Sequence, residues 1–231
     1  MNTHETKGRQ GMHVKAKGAL VALIAVAAFG VVSAPALATA PQFVPAEGVK
    51  FPIALESKAK GEWKMADAAG GTVTCTSSKL KGAINGAKAL SLTLELEGCA
   101  SNTRGACEGK GLAEGHLLMN GDEKLVYLSK SKKEVATIVT MPDFKCGGGT
   151  YDTEGGELLP LSPVNKKGSE LVFTAIGNGA GKMDVSEYEN EKGKKQFEQI
   201  KWELGAGEGE VSAEVSGDVI LTSASQFTLE A

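Results

Sequence analysis

The stretch "ALSLTLELEGC", residues 89–99, sets Leu90, Leu92, Leu94 and Leu96 at every second position, with Ser91, Thr93, Glu95 and Glu97 between them. Successive side chains of an extended chain point to opposite faces, so the four leucines form one apolar face and the polar residues the other. A helix would spread the same leucines around its axis. The stretch reads as a half-buried strand.

The same period of two recurs outward from it. "KLVYLSKSKKEVATIVTM" (124–141) reads as a hairpin, with strands near 124–129 and 134–141 joined by a Lys-rich turn. "KMDVSEYENEKGKKQFEQIKWEL" (182–204) reads as a second, although a short helix over about 194–201 competes there. "GEVSAEVSGDVILTSASQFTLEA" (209–231) supplies two or three more strands. Many short strands between Gly-rich turns predict an all-β fold, an antiparallel sandwich or barrel. Aromatic residues are scarce, which leaves Trp63 and Trp202 as the largest core pieces. "WKMADAAGGTV" (63–73) and "WELGAGEGEV" (202–211) echo one another as two similar hairpins.

The N-terminus has a different character. Lys7, Arg9, Lys15 and Lys17 precede the apolar run "ALVALIAVAAFGVVSA" (19–34), and Ala36 and Ala38 then stand where a signal peptidase reads small residues. This is the order of a secretory signal peptide, entering the membrane as a helix and cleaved after Ala38. The apolar run is shorter than the roughly 20 residues of a spanning helix. Met12 opens an equally good leader, so translation from either Met1 or Met12 fits. The expected organisation is a signal peptide at 1–38, a flexible segment at 39–48 and one β domain at 49–231. Removing the leader leaves 193 residues with 21 basic and 27 acidic side chains. That balance carries no electrostatic footprint for nucleic acid, and membrane contact is expected only through the leader before cleavage.

An exported chain with four cysteines, Cys75, Cys99, Cys107 and Cys146, reads as a disulfide framework. Zinc would ask for closely spaced pairs or for histidines, and His116 is the one histidine after residue 38. Four cysteines allow three pairings. "ASNTRGA" (100–106) has the composition of a turn that brings Cys99 to Cys107. Cys75 ends "GGTVTC" and Cys146 ends "MPDFKC", two strand-like runs able to face each other. The expected pairs are therefore Cys99–Cys107 and Cys75–Cys146.

Glu95 and Glu97 could be a glycosidase pair, but they lie on the strand face opposite the leucines and read as solvated charges. "IGNGAGKM" (176–183) lacks the first Gly and the Ser or Thr of a phosphate loop and reads as a glycine turn. "NGDEK" (120–124) lacks the spaced ligands of a calcium loop and reads as a hairpin turn. His116, in "AEGHLLMN", has no nucleophile elbow to serve. An outer-membrane barrel would want aromatic girdles. No metal, cofactor or catalytic residue is expected.

The succession "GGTVTCTSSKLKGAINGAKALSLTLELEGC", a second close cysteine, "GLAEGHLLMN", a Lys-rich hairpin, "FKCGGG" and "LSPVN" resembles a group of uncharacterised secreted proteins of soil actinobacteria over roughly residues 63–165. The resemblance implies export and a β fold, and brings no functional residues with it. The sequence therefore predicts a secreted or cell-surface, disulfide-stabilised, non-enzymatic structural or binding module for a cell-envelope or extracellular ligand. The alternative is an extracellular hydrolase built on scattered acids and His116.

Overall fold

The computed structural model describes residues 40–57, 61–177, 180–183, 185–190, 192–204 and 210–231, so the expected leader lies outside the described residues. Eighteen strands follow in order: β1 (Gln42–Pro45), β2 (Ile53–Ser57), β3 (Trp63–Asp67), β4 (Thr72–Cys75), β5 (Ser77–Gly86), β6 (Ala89–Glu97), β7 (Ala100–Ser101), β8 (Gly105–Gly109) and β9 (His116–Ser129) form the first half. The second half is β10 (Glu134–Thr140), β11 (Phe144–Cys146), β12 (Gly149–Glu154), β13 (Gly156–Ser162), β14 (Lys167–Ala175), β15 (Glu187–Glu189), β16 (Lys195–Phe197), β17 (Lys201–Leu204) and β18 (Glu210–Glu230). No helix occurs among the described residues. Nor is any described helix long and apolar enough to cross a membrane.

Eight strands close an antiparallel barrel in the order β2–β5–β6–β9–β10–β13–β14–β18 and back to β2. The expected all-β fold is thus a barrel rather than a sandwich. Leu90, Leu92, Leu94 and Leu96 of β6 are all buried inside it, as their alternation demands. Leu80, Met119, Val139, Leu159, Phe173 and Val219 meet them around a residual cavity of about 20 Å³. That is room for about one water, and an apolar lining gives a water nothing to bond. The interior is a packed core. Trp63 of β3 reaches into it, and its indole Nε1–H donates to Ser78 Oγ at 3.1 Å. Gly217 makes the space: a Cβ there would stand 2.6 Å from the indole ring.

The remaining pairings form a second, smaller closed circuit, β18–β3–β4–β7–β8–β11–β12–β17 and back to β18. Its core holds Phe144 stacked on Tyr151 at 4.6 Å, with Trp202 edge-on to both. The two echoing Trp segments are neighbours here, β3–β4 on one side of β18 and β17 on the other. Strand β18 belongs to both circuits. Its residues 210–216 serve the small one, and 217–228 pair with β14 of the barrel.

Both disulfides fasten the small circuit, and their connectivity corrects the expected one. Cys75 bonds Cys99, and Cys107 bonds Cys146. The four cysteines lie in one lateral row: Thr74 pairs with Ala100, the Cys107 amide donates to the Cys99 carbonyl, and Cys107 stands opposite Cys146. Cα separations within the bonded pairs are 3.9 and 4.0 Å. Joining Cys75 to Cys146 would span three strand spacings, about 14 Å, roughly twice the reach of a disulfide. The turn 100–106 does bring Cys99 beside Cys107, but each sulfur turns to its other neighbour.

Two further expectations are corrected. Residues 42–45, assigned to a flexible lead-in, are β1, registered against Pro45↔Phe227 through Gln42↔Glu230 of β18; Phe43 is buried against Phe227 and holds the strand down. "NGDEK" is no turn but the middle of β9, paired with β6 from Thr93↔Asn120 to Ala89↔Lys124. Within 182–204 the expected hairpin is present, β15 pairing with β16 from Glu187↔Phe197 to Glu189↔Lys195, and the competing helix over 194–201 does not form.

Peptide mapping without reduction should release Cys75–Cys99 and Cys107–Cys146 as the linked pairs. Loop closures of 24 and 39 residues should make the double serine variants lose roughly 3.5 and 3.9 kcal/mol, nearly equal amounts, in denaturant melts. Leu96→Ala, which empties a fully buried position, should cost about 2–5 kcal/mol by the same measurement, whereas Glu95→Ala on the outer face should change stability by less than about 0.5 kcal/mol.

Candidate functional site

The barrel interior is filled, and the candidate sites found among the described residues lie outside it. The residues singled out by sequence meet at one of them. Across β5, β6 and β9 the register places Ser77 opposite Glu97, and Glu97 opposite His116. Ser77 Oγ–H donates to Glu97 Oε2 at 3.2 Å, and Lys79 forms an ion pair with Glu97 Oε1. The Lys79 ammonium bonded to it holds the Glu97 carboxyl below the usual carboxylate range, helped by the Ser77 hydroxyl and opposed by desolvation. The same bond raises Lys79.

This arrangement is a charge-paired patch. A nucleophile needs its hydroxyl proton directed at a base poised to accept it. Here the Ser77 proton goes to a carboxylate already neutralised by Lys79, and His116 sits half-buried on the far side of that carboxylate. Glu95 shares the face, opposite Lys79. The four cysteines are all consumed in disulfides. In "IGNGAGKM", Gly177 and Met183 form an isolated bridge and the Lys182 amide donates to Glu214 Oε2 at 3.1 Å, so the described part of the segment is a turn fastened to β18. No metal-holding group of three or more His, Cys, Asp or Glu side chains occurs among the described residues.

Sequence inspection gave no sign of the second candidate. Strands β8, β11 and β12 lie side by side, with Lys145 opposite both Glu108 and Thr150. Their outer face, with the turn 109–112, forms an open cleft of about 320 Å³ lined by Glu108, Lys110, Leu112, Asp143, Lys145 and Asp152. Charges of both signs line it, Lys145 facing Glu108 across the β8–β11 pair, and Phe144 is buried beneath. Asp143 is fixed in place: its Oδ1 accepts from the Thr153 amide at 2.9 Å and from the Thr153 hydroxyl, which also reaches the Met141 carbonyl. The Cys107–Cys146 bridge ties β8 to β11 directly behind this face. These residues come from positions 108–112, 143–145 and 150–152. Their convergence depends on a strand pairing that no local pattern announces.

A further cleft, of about 440 Å³, lies over β9, where Lys88, Lys124, Tyr127, Tyr188 and Glu189 line it. Burial raises the Tyr127 phenol, and Lys130 lies 5.7 Å from its ring centroid. Of the two, the cleft on β8, β11 and β12 stands on the better fastened scaffold, and rigid support is what a binding surface needs.

No protein-family model, curated protein or solved structure matches the chain.

Asp143→Ala removes the acceptor that holds β12 to the segment before β11. The amide of Thr153 should lose protection in hydrogen exchange while Leu94 in the barrel keeps its own, and global stability should fall by about 1 kcal/mol.

Proposed function

We propose that the protein is an exported β domain acting outside the cytoplasm, at the cell surface or beyond it, as a non-catalytic structural or binding module. The observation that carries this reading is the row of four cysteines closed into two disulfides across adjacent strands. Such bridges form and persist in oxidising compartments and are rare where thiol buffers keep cysteines reduced. The basic leader, apolar run and "ALA" motif support the same conclusion from the other end of the chain. Cleavage after Ala38 would leave β1, which starts at Gln42 and pairs with β18, intact. The resemblance to secreted actinobacterial proteins agrees with both.

Within this reading the cleft on β8, β11 and β12 is the binding face. Its Glu108, Lys110, Asp143, Lys145 and Asp152 suit a polar ligand of the cell envelope or medium that offers both hydrogen-bond donors and acceptors. The filled barrel favours an outer surface over an enclosed carrier pocket.

Intact-mass measurement of protein recovered from culture supernatant should give a chain beginning at Thr39. A product that retains residues 19–34 would contradict export by this route. On a glycan array and in pull-down by purified cell-wall polymer, wild-type protein should be retained, and Lys145→Glu combined with Asp152→Lys should weaken retention at least tenfold without lowering the melting temperature by more than a few degrees. Retention unchanged by that double variant would move the binding face elsewhere. Hydrolysis of the same polymers, lost in His116→Ala, would replace this reading with an extracellular hydrolase.

A further inference from the structure

Strand β18 changes partners in mid-course. On one side β17 pairs with it as far as Ser212, and β14 takes over only at Gly217. Between those points, Ala213–Ser216 have β3 on their other side but no strand on this one. A fork between two sheets leaves backbone groups in need of partners. The Ala213 amide finds the carbonyl of Ile200 at 3.0 Å. The Val215 amide finds a side chain: it donates to the carboxyl of Glu157.

Glu157 lies near the start of β13, opposite Val139 of β10, whose side chain lines the barrel interior. It is 1% exposed. One carboxyl oxygen, Oε2, has no hydrogen-bond partner among the described residues. The charged side chain whose field reaches it is another acid, Glu214 of β18, itself buried and held by the Lys182 amide. Glu198 approaches the neighbouring Gly156, where an added Cβ would lie 3.5 Å from its Oε1. Lys182 presents its backbone to Glu214 while the residue is exposed. The acid on β18 therefore adds its field to the desolvation of this carboxyl. Full ionisation here would place an anion among apolar side chains with one amide to solvate it.

We propose that the Glu157 carboxyl is a proton-dependent latch at the fork of β18, closed while it holds its proton and opened in alkaline surroundings by the cost of burying its anion, which the single Val215 hydrogen bond only partly offsets. Desolvation, the largest influence, and the field of Glu214 both hold the carboxyl well above the usual range, against the opposing Val215 hydrogen bond. The unfolded chain gives up this proton in the ordinary carboxylate range, whereas the folded chain retains it. The contribution of this carboxyl to stability is therefore full at acid pH and falls as pH rises above that range, by a factor of ten in the folding constant per pH unit, until the folded carboxyl also ionises.

The test is the pH dependence of stability of Glu157→Gln, which is neutral at every pH, against wild type in the full mature chain. The two folding constants should run closest at acid pH and diverge above it, the variant gaining tenfold per unit on wild type, while Val215 amide protection falls with pH in wild type only. Parallel curves for the two proteins would overturn the latch. Should the variant fail to fold, glutamate carboxyl carbon-13 shifts of wild type decide: one carboxyl that keeps its proton well above the pH at which the others ionise supports it, and all of them ionising together overturns it.

Discussion

One strand having to satisfy two closed sheets is the constraint from which the rest of this structure follows. Residues 210–216 of β18 complete the small circuit, and residues 217–228 run beside β14 in the barrel. At the changeover Gly217 lets Trp63 pack against the backbone, and Glu157 supplies the bond that no strand supplies. Were β18 to slip by one residue, Val215, Val219 and Leu221 would all leave the core together, because the side-chain period is two. Both circuits thus hold the same register, and each protects the other from slipping.

Parts of this were legible in the sequence for a local reason. The alternation of Leu90–Leu96 needs no partner to be read, and the hairpin of β9 and β10 is announced by two apolar runs around a Lys-rich turn. One disulfide is legible too, from the hairpin that β6 forms with β5. Ser77 pairs with Glu97 and Ile84 with Leu90 around the Gly86 turn, and Cys75 and Cys99 stand two residues beyond the base of that hairpin in the same register. Reading "ASNTRGA" as a closing turn overlooked this longer hairpin. The Cys107–Cys146 bridge has no such signature, since β8 and β11 are brought together by distant pairing.

The remaining differences have the same origin. Asn120 and Gly121 have the composition of a turn, but nine consecutive pairs between β6 and β9 outweigh that preference. Residues 42–45 are too short a run to announce a strand, and are ordered because β18 offers them an edge. The charge-paired patch around Glu97 was half legible: alternation placed Glu95 and Glu97 outside, and only the register with β5 and β9 shows Lys79, Ser77 and His116 joining them. The cleft of β8, β11 and β12 was not legible at all, for its lining is gathered from three separate segments.

The position of β18 along the chain has a consequence for the order in which the molecule can assemble. Strands β1, β2 and β3 all wait for a partner made roughly 150 to 190 residues after them. A nascent chain that has not reached residues 210–230 can zip its local hairpins but can close neither circuit, and it carries open strand edges meanwhile. Closure of the two sheets is thus a single late event, committed only when the last strand is free to enter both.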